Sequence, residues 1–127
     1  MSAVRWADGH MTGRGDLELH ESEVASVAVL AVQGRLDSIN SPALELRLRD
    51  MVASGRTRIV VDLERVGYIS SAGLRALVIS ARLLGDRAGR MVLAGLSSEN
   101  RRLFDLAGFT ELFAMEADRA QAVAALG

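Results

Sequence analysis

The run Arg58-Ile59-Val60-Val61-Asp62-Leu63, the corner Tyr68-Ile69-Ser70-Ser71-Ala72-Gly73-Leu74 beyond it, and the amphipathic stretch that follows leave this chain few folds to choose from. A short run that is apolar at nearly every position is expected of a strand covered on both faces. Leu74, Leu77, Val78, Ala81 and Leu84 then recur at helical spacing, which predicts a helix from about Ser71 to the loop Gly85 to Gly89. A buried strand feeding a helix through a corner with two adjacent hydroxyls is a place where a side chain is held rigidly and shown to solvent.

The rest of the chain repeats the alternation. Val24 to Leu36 is β-branched and apolar and closes on Gly34-Arg35-Leu36-Asp37, so it predicts a strand, with a weaker one near Leu17 to His20 pairing with it as a hairpin. Asn40 or Ser41 is a good N-cap, Pro42 falls in the first turn where a helix tolerates it, and Gly55 stops a helix carrying Leu44, Leu46, Leu48, Met51 and Val52. Met91 to Ala94 predicts another buried strand. A helix capped by Ser97 or Ser98 runs through Phe104 to Gly108, Leu112 to Met115 predicts a last strand, and Asp118 to Leu126 a closing helix. Strands alternating with helices imply an α/β layer structure, largely parallel, with crossover helices.

Composition removes whole classes of function. At 127 residues the chain holds one domain, expected over 17–127 behind a loose arm over 1–16. No apolar run is long enough to cross a bilayer, and the arm lacks the basic-then-apolar layout of a secretory signal. Met11 reads equally as an internal start or, with Gly9 and His10, as a cloning remnant. A net charge of −1 and a pI near 6.1 argue against direct nucleic-acid binding. There is no cysteine, hence no thiol nucleophile and no thiolate metal site, which suits a reducing cytoplasm. All 15 basic residues are arginine, which excludes a Schiff-base or P-loop lysine.

Few residues remain that could carry chemistry. A serine ahead of a helix is first of all an N-cap, but Ser70-Ser71 supplies two and one suffices. The other, followed by small Ala72 and Gly73, offers a hydroxyl that a large partner could approach. A phosphoryl group there would add roughly −1.5 to −2 charge at pH 7. A helix N-terminus tolerates such charge, so the modification should act outward, on a docked partner, and leave the domain folded. Asp62 invites comparison with a phosphoacceptor aspartate, which the missing lysine argues against; it is read, like Asp37, as a turn or cap carboxylate near the sheet edge, with Asp37 also a candidate for a docking surface. His10 and His20 are not placed to activate Ser71, no Gly-x-Ser-x-Gly elbow exists, and two histidines without cysteine make no zinc site. Neither cofactor nor catalytic residue is expected.

In order and spacing these pieces resemble the STAS domains of bacterial anti-sigma factor antagonists. Gly34-Arg35-Leu36-Asp37 matches the family's strand end, Pro42 its first helix, Ile59 to Leu63 followed by Ile69-Ser70-Ser71-Ala72-Gly73-Leu74 its strand-to-helix corner, and Val92 to Leu96 the strand before a helix ending in Leu106-Ala107-Gly108-Phe109. The resemblance spans Leu17 to Leu126. It implies a single domain with a mixed sheet of four or five strands and helices mostly on one side.

The resemblance also implies partner switching. Such a protein binds an anti-sigma factor that is a serine kinase of the histidine-kinase-like ATPase type, is released when that kinase phosphorylates a corner serine, and is reset by a metal-dependent phosphatase. The acceptor falls on Ser71, with Ser70 as alternate because many members carry Asp at that position. The expected docking face comprises Asp37, Ser70, Ser71, Ala72, Gly73 and Leu74, on a protein that is cytoplasmic and monomeric when free. The competing expectations are a STAS subunit docked constitutively in a transport or secretion-regulating complex, and, from another class, a nucleotide-binding or catalytic domain.

Overall fold

The computed structural model describes residues 17–127; the expected arm over 1–16, with His10 and Met11, lies outside the described residues. Strands β1 (Glu18–Val24) and β2 (Val27–Leu36) form an antiparallel hairpin, and α1 (Ser41–Ala53) follows. Then come β3 (Arg58–Ile69), α2 (Ser71–Gly85), β4 (Arg90–Ala94), α3 (Ser98–Ala107), a 3-10 turn over Thr110–Leu112, β5 (Ala114–Glu116) and α4 (Arg119–Leu126). The five strands lie side by side in chain order, β2 to β5 all parallel. Parallel crossovers share one hand, so connections that step across a sheet in one direction lay their helices on one face.

That face holds the main core. Leu30, Val61, Leu63 and Leu93 of the strands meet Leu44 and Leu48 of α1, Leu77 and Leu84 of α2 and Phe104 of α3. The Phe104 and Phe113 rings meet edge to face, their centroids 5.6 Å apart. The opposite face is covered by α4, whose Ala122, Val123 and Leu126 pack on Val29, Val60 and Val92. Successive residues of a strand point to opposite faces, so Val60 serves one core and Val61 the other. This explains the unbroken apolar run.

The structure departs from the expectations in four places. Ala25 and Ser26 take positive φ of 50° and 69°, the mirror-image turn that suits a two-residue hairpin, so Val24 belongs to β1 and not to the strand after it. β3 does not stop at Leu63: it continues to Ile69 with Val66 and Ile69 buried and Tyr68 exposed, and two register shifts, each taking up one extra residue of β3, keep it paired with β2 to the strand ends. Phe113 precedes β5, and Leu112 falls in the 3-10 turn.

Asp62 is the fourth correction. It sits within β3, buried, and is no turn or cap residue. Its Oδ2 accepts from Arg119 Nε at 2.9 Å and lies 2.9 Å from Arg119 Nη2, while Oδ1 accepts from the Glu64 backbone N–H at 3.1 Å. A carboxylate inside an apolar run is tolerated only when paired. Here the pair ties the start of α4 to the middle of the sheet.

Candidate functional site

β2 and β3 run in register at Arg35 opposite Tyr68 and Leu36 opposite Ile69, so Asp37 and Ser70 leave the sheet side by side. The Ser70 backbone N–H donates to the Leu36 carbonyl at 2.8 Å, which locks the corner to the end of β2. Ser70 is the N-cap of α2: in extended backbone, its Oγ accepts from the Gly73 N–H at 3.2 Å. Ser71 is the first helical residue and exposed, and among the described residues its hydroxyl has no partner. One serine caps; the other faces solvent.

Gly73 and Leu74 are buried, Ala72 is half-buried. A Cβ on Gly73 would come 2.7 Å from Leu36 Cγ and 3.2 Å from Ile69 Cγ2. The missing side chain thus seats the first turn of α2 on the strand ends. Gly73 therefore shapes the corner and offers it no surface.

The β2–α1 loop is held from within. Asp37 Oδ1 accepts from the backbone N–H groups of Ile39 and Asn40 at 2.9 and 3.1 Å. Its Oδ2 lies 3.8 Å from Arg35 Nε. Asn40 stands at the N-cap position of α1 but makes no capping bond. Wholly buried, it instead accepts from the Asp37 N–H and donates to the Arg35 carbonyl, both at 2.9 Å. Replacing Asn40 by Ala takes the side-chain partner from that part-buried N–H and carbonyl, at about 1–3 kcal/mol for each group left unsatisfied. Urea unfolding of Asn40→Ala is expected to show a loss of about 2–4 kcal/mol, and a loss under 0.5 kcal/mol would mean the loop is not built on this residue.

Beside Ser71 lies a groove of about 580 Å³ between the end of β3, the start of α2 and α3. Its walls include Tyr68, Ser70, Ser71, Leu74, Leu103 and Leu106. Leu74, though buried, forms part of this lining. Leu106 is 81% exposed and Ile39, on the β2–α1 loop, 67%. Arg35 lies over the Tyr68 ring at 5.2 Å, at the distance of a cation–π contact. Leu103 and Leu106 escape sequence reasoning because helical periodicity assigns such residues of α3 to a core. The available signal is Tyr68 itself, a polar-tipped aromatic immediately before the corner.

A second concavity, about 570 Å³, lies on the α4 face and includes His20, Arg65 and the Asp62–Arg119 pair. His20 is thus grouped with this face and not with Ser71. Among the described residues no cluster of His, Cys, Asp or Glu could hold a metal, and no helix is long and apolar enough to cross a membrane. The lining of the Ser71 groove contains no histidine or arginine, and its one carboxylate is Glu99, in the first turn of α3.

The family model described as STAS domain matches residues 19–122. BtrV of Bordetella bronchiseptica, named as a candidate anti-sigma factor antagonist, is 35% identical over 109 residues, covering 86% of this chain and 94% of BtrV. The anti-sigma-F factor antagonist RsfB of Mycobacterium tuberculosis is 34% identical over 87 residues, 68% of this chain and 70% of RsfB. Among solved structures, an anti-sigma factor antagonist from Mycobacterium paratuberculosis superposes with a TM-score of 0.81 at 25% identity, covering 91% of this chain and 98% of that one.

Proposed function

This chain belongs to the STAS domain family, and we propose that it is an anti-sigma factor antagonist that works as a phosphorylation-controlled partner switch. It is a binding module without catalysis of its own, as the names of its relatives imply. The observation that carries the switch is the division of labour at the corner: Ser70 is spent on capping α2, and Ser71 is exposed beside an apolar groove.

In the unmodified state the corner docks on an anti-sigma factor that is also a serine kinase of the ATPase type. The docking face consists of Ser71 and Ala72 with the rim of the groove, seated on Asp37, Ser70, Gly73 and Leu74. Ser71 Oγ then attacks the γ-phosphorus of the ATP held by the kinase. An O–P bond forms, the bond to the β–γ bridging oxygen breaks, ADP leaves, and the hydroxyl proton passes to a base of the kinase. A dianion in place of a hydroxyl opposes docking by desolvation and repulsion. A metal-dependent phosphatase hydrolyses the ester and restores the binding state, all within the cytoplasm, with the free protein a monomer.

The test is to incubate the protein with the kinase it captures and ATP, and to map the phosphate by mass spectrometry. Modification at Ser71, intact in Ser70→Ala and lost in Ser71→Ala, is expected. Modification confined to Ser70 would reverse the two roles. Capture of the same partner with no phosphate transferred would favour a constitutively docked subunit.

A further inference from the structure

Arg75 stands four residues after Ser71 on α2, and both are exposed. Residues four apart are neighbours on a helix surface, and the more favourable order places the anion before the cation. The positions that flank Arg75 on the helix, Ser71, Ala72, Val78 and Ile79, include no carboxylate, and the first turn of α2 has no acidic residue. Among the described residues Arg75 takes part in no ion pair. The other cation near the corner is engaged: Arg35 lies over Tyr68 and beside Asp37. An uncommitted guanidinium therefore shares one strip of α2 with the solvent-facing hydroxyl.

We propose that Arg75 is the counter-ion of the switch: a phosphoryl group on Ser71 is received by the Arg75 guanidinium and lies back along α2. The inference rests on Ser71 being the acceptor. The planar fork of arginine matches two phosphate oxygens at once, which a point-charge ammonium does not. Phosphorylation then changes the docking face twice over. It adds a dianion, and it withdraws a cation that was open to a partner's carboxylate.

The experiment installs phosphoserine at position 71 of the full-length chain during translation and follows its second ionisation by 31P NMR. A neighbouring cation favours the dianion and lowers the titration midpoint, so Arg75→Gln is expected to raise it by about 0.3 pH, the size of a helical i,i+4 pair. Arg75→Lys should return most of that change, and Arg35→Gln should leave the midpoint alone. The start of the helix acts equally in every variant and cancels. A midpoint unmoved in Arg75→Gln, or one that follows Arg35 instead, overturns the proposal. Because no kinase is needed to install the phosphate, Ser71 left unmodified by the captured kinase would sink the acceptor assignment alone, and the titration would still decide the pairing.

Discussion

Ser71→Asp is expected to fold like the parent and to lose the kinase partner proposed for it. Ser71 is exposed at the first position of α2 and supports no contact of the core, so the substitution removes nothing. The added carboxylate meets a helix start that has no acidic residue in its first turn, where a negative charge is worth about 0.3–1 kcal/mol. For a domain of this size that converts to a melting temperature raised by roughly 1–5 °C. The same charge must be desolvated, against a surface fitted to a hydroxyl, before the partner can close on the corner. A loss of two decades or more in affinity, about 2.7 kcal/mol, is therefore expected by isothermal titration with the purified kinase. Ser71→Ala should bind within threefold of the parent. Asp carries one charge where phosphoserine carries nearly two, so its effect is a lower bound on that of the proposed phosphoserine. A lost thermal transition would mean that the charge acts inward on the fold; affinity within threefold of the parent would mean a constitutive docking face and reduce Ser71 to the first residue of a helix.

How much of this was legible beforehand follows from what each signal depends on. The order of elements, a serine cap ahead of both α2 and α3 and the stop at Gly108, in the left-handed region at φ 78°, all follow from local chemistry, and local chemistry is written in the chain. The mixed sheet with helices mostly on one face was available only through the resemblance, because strand order is a property of pairing, which no single segment encodes. Asp62 was misread for the same reason. A carboxylate after three apolar residues looks like a strand end, and its partner Arg119 lies 57 residues further on. The length of β3 was hidden because Glu64, Arg65 and Gly67 break the apolar pattern while only Val66 and Ile69 turn inward. Asn40 shows the limit of capping rules: the residue is at the expected place, but a buried amide is worth more across two strands of a loop than on a helix end already served by the Asp37 carbonyl. At the site, the two hydroxyls could be found in sequence but not told apart. That needed the hydrogen bond from Gly73 to Ser70, and the groove beside Ser71 needed α3 in place.

Gly73→Val is expected to lower stability by about 3 kcal/mol, a large part of the 5–15 kcal/mol typical of a single domain. Two effects compete at this position. Glycine inside a helix costs about 0.5–1 kcal/mol relative to alanine, and that alone would make a side chain beneficial. Against it stands contact: the new Cβ would lie 2.7 and 2.9 Å from Leu36 Cγ and Cδ2 and 3.2 Å from Ile69 Cγ2. Leu36 and Ile69 are 0% and 1% exposed, so neither has free space to retreat into. Overpacking of a filled core costs roughly 1–3 kcal/mol, and a β-branched residue adds two methyl groups to the clash. Gly73→Ala should fall between, near 1 kcal/mol of loss, because helix propensity offsets part of the strain. Gly85→Ala is the control: it lies at the other end of α2, a Cβ there meets nothing within 4 Å, and it should be neutral or slightly stabilising. Urea midpoints at constant m-value measure all three. The folded fraction of Gly73→Val should also bind the kinase less well, since the first turn of α2 can admit the side chain only by lifting away from β2 and carrying Ser71 with it. If Gly73→Val were as stable as Gly85→Ala, the corner would not be clamped between Leu36 and Ile69. Ser71 would then be presented by a loose helix end, and a single added charge would have no fixed surface on which to act.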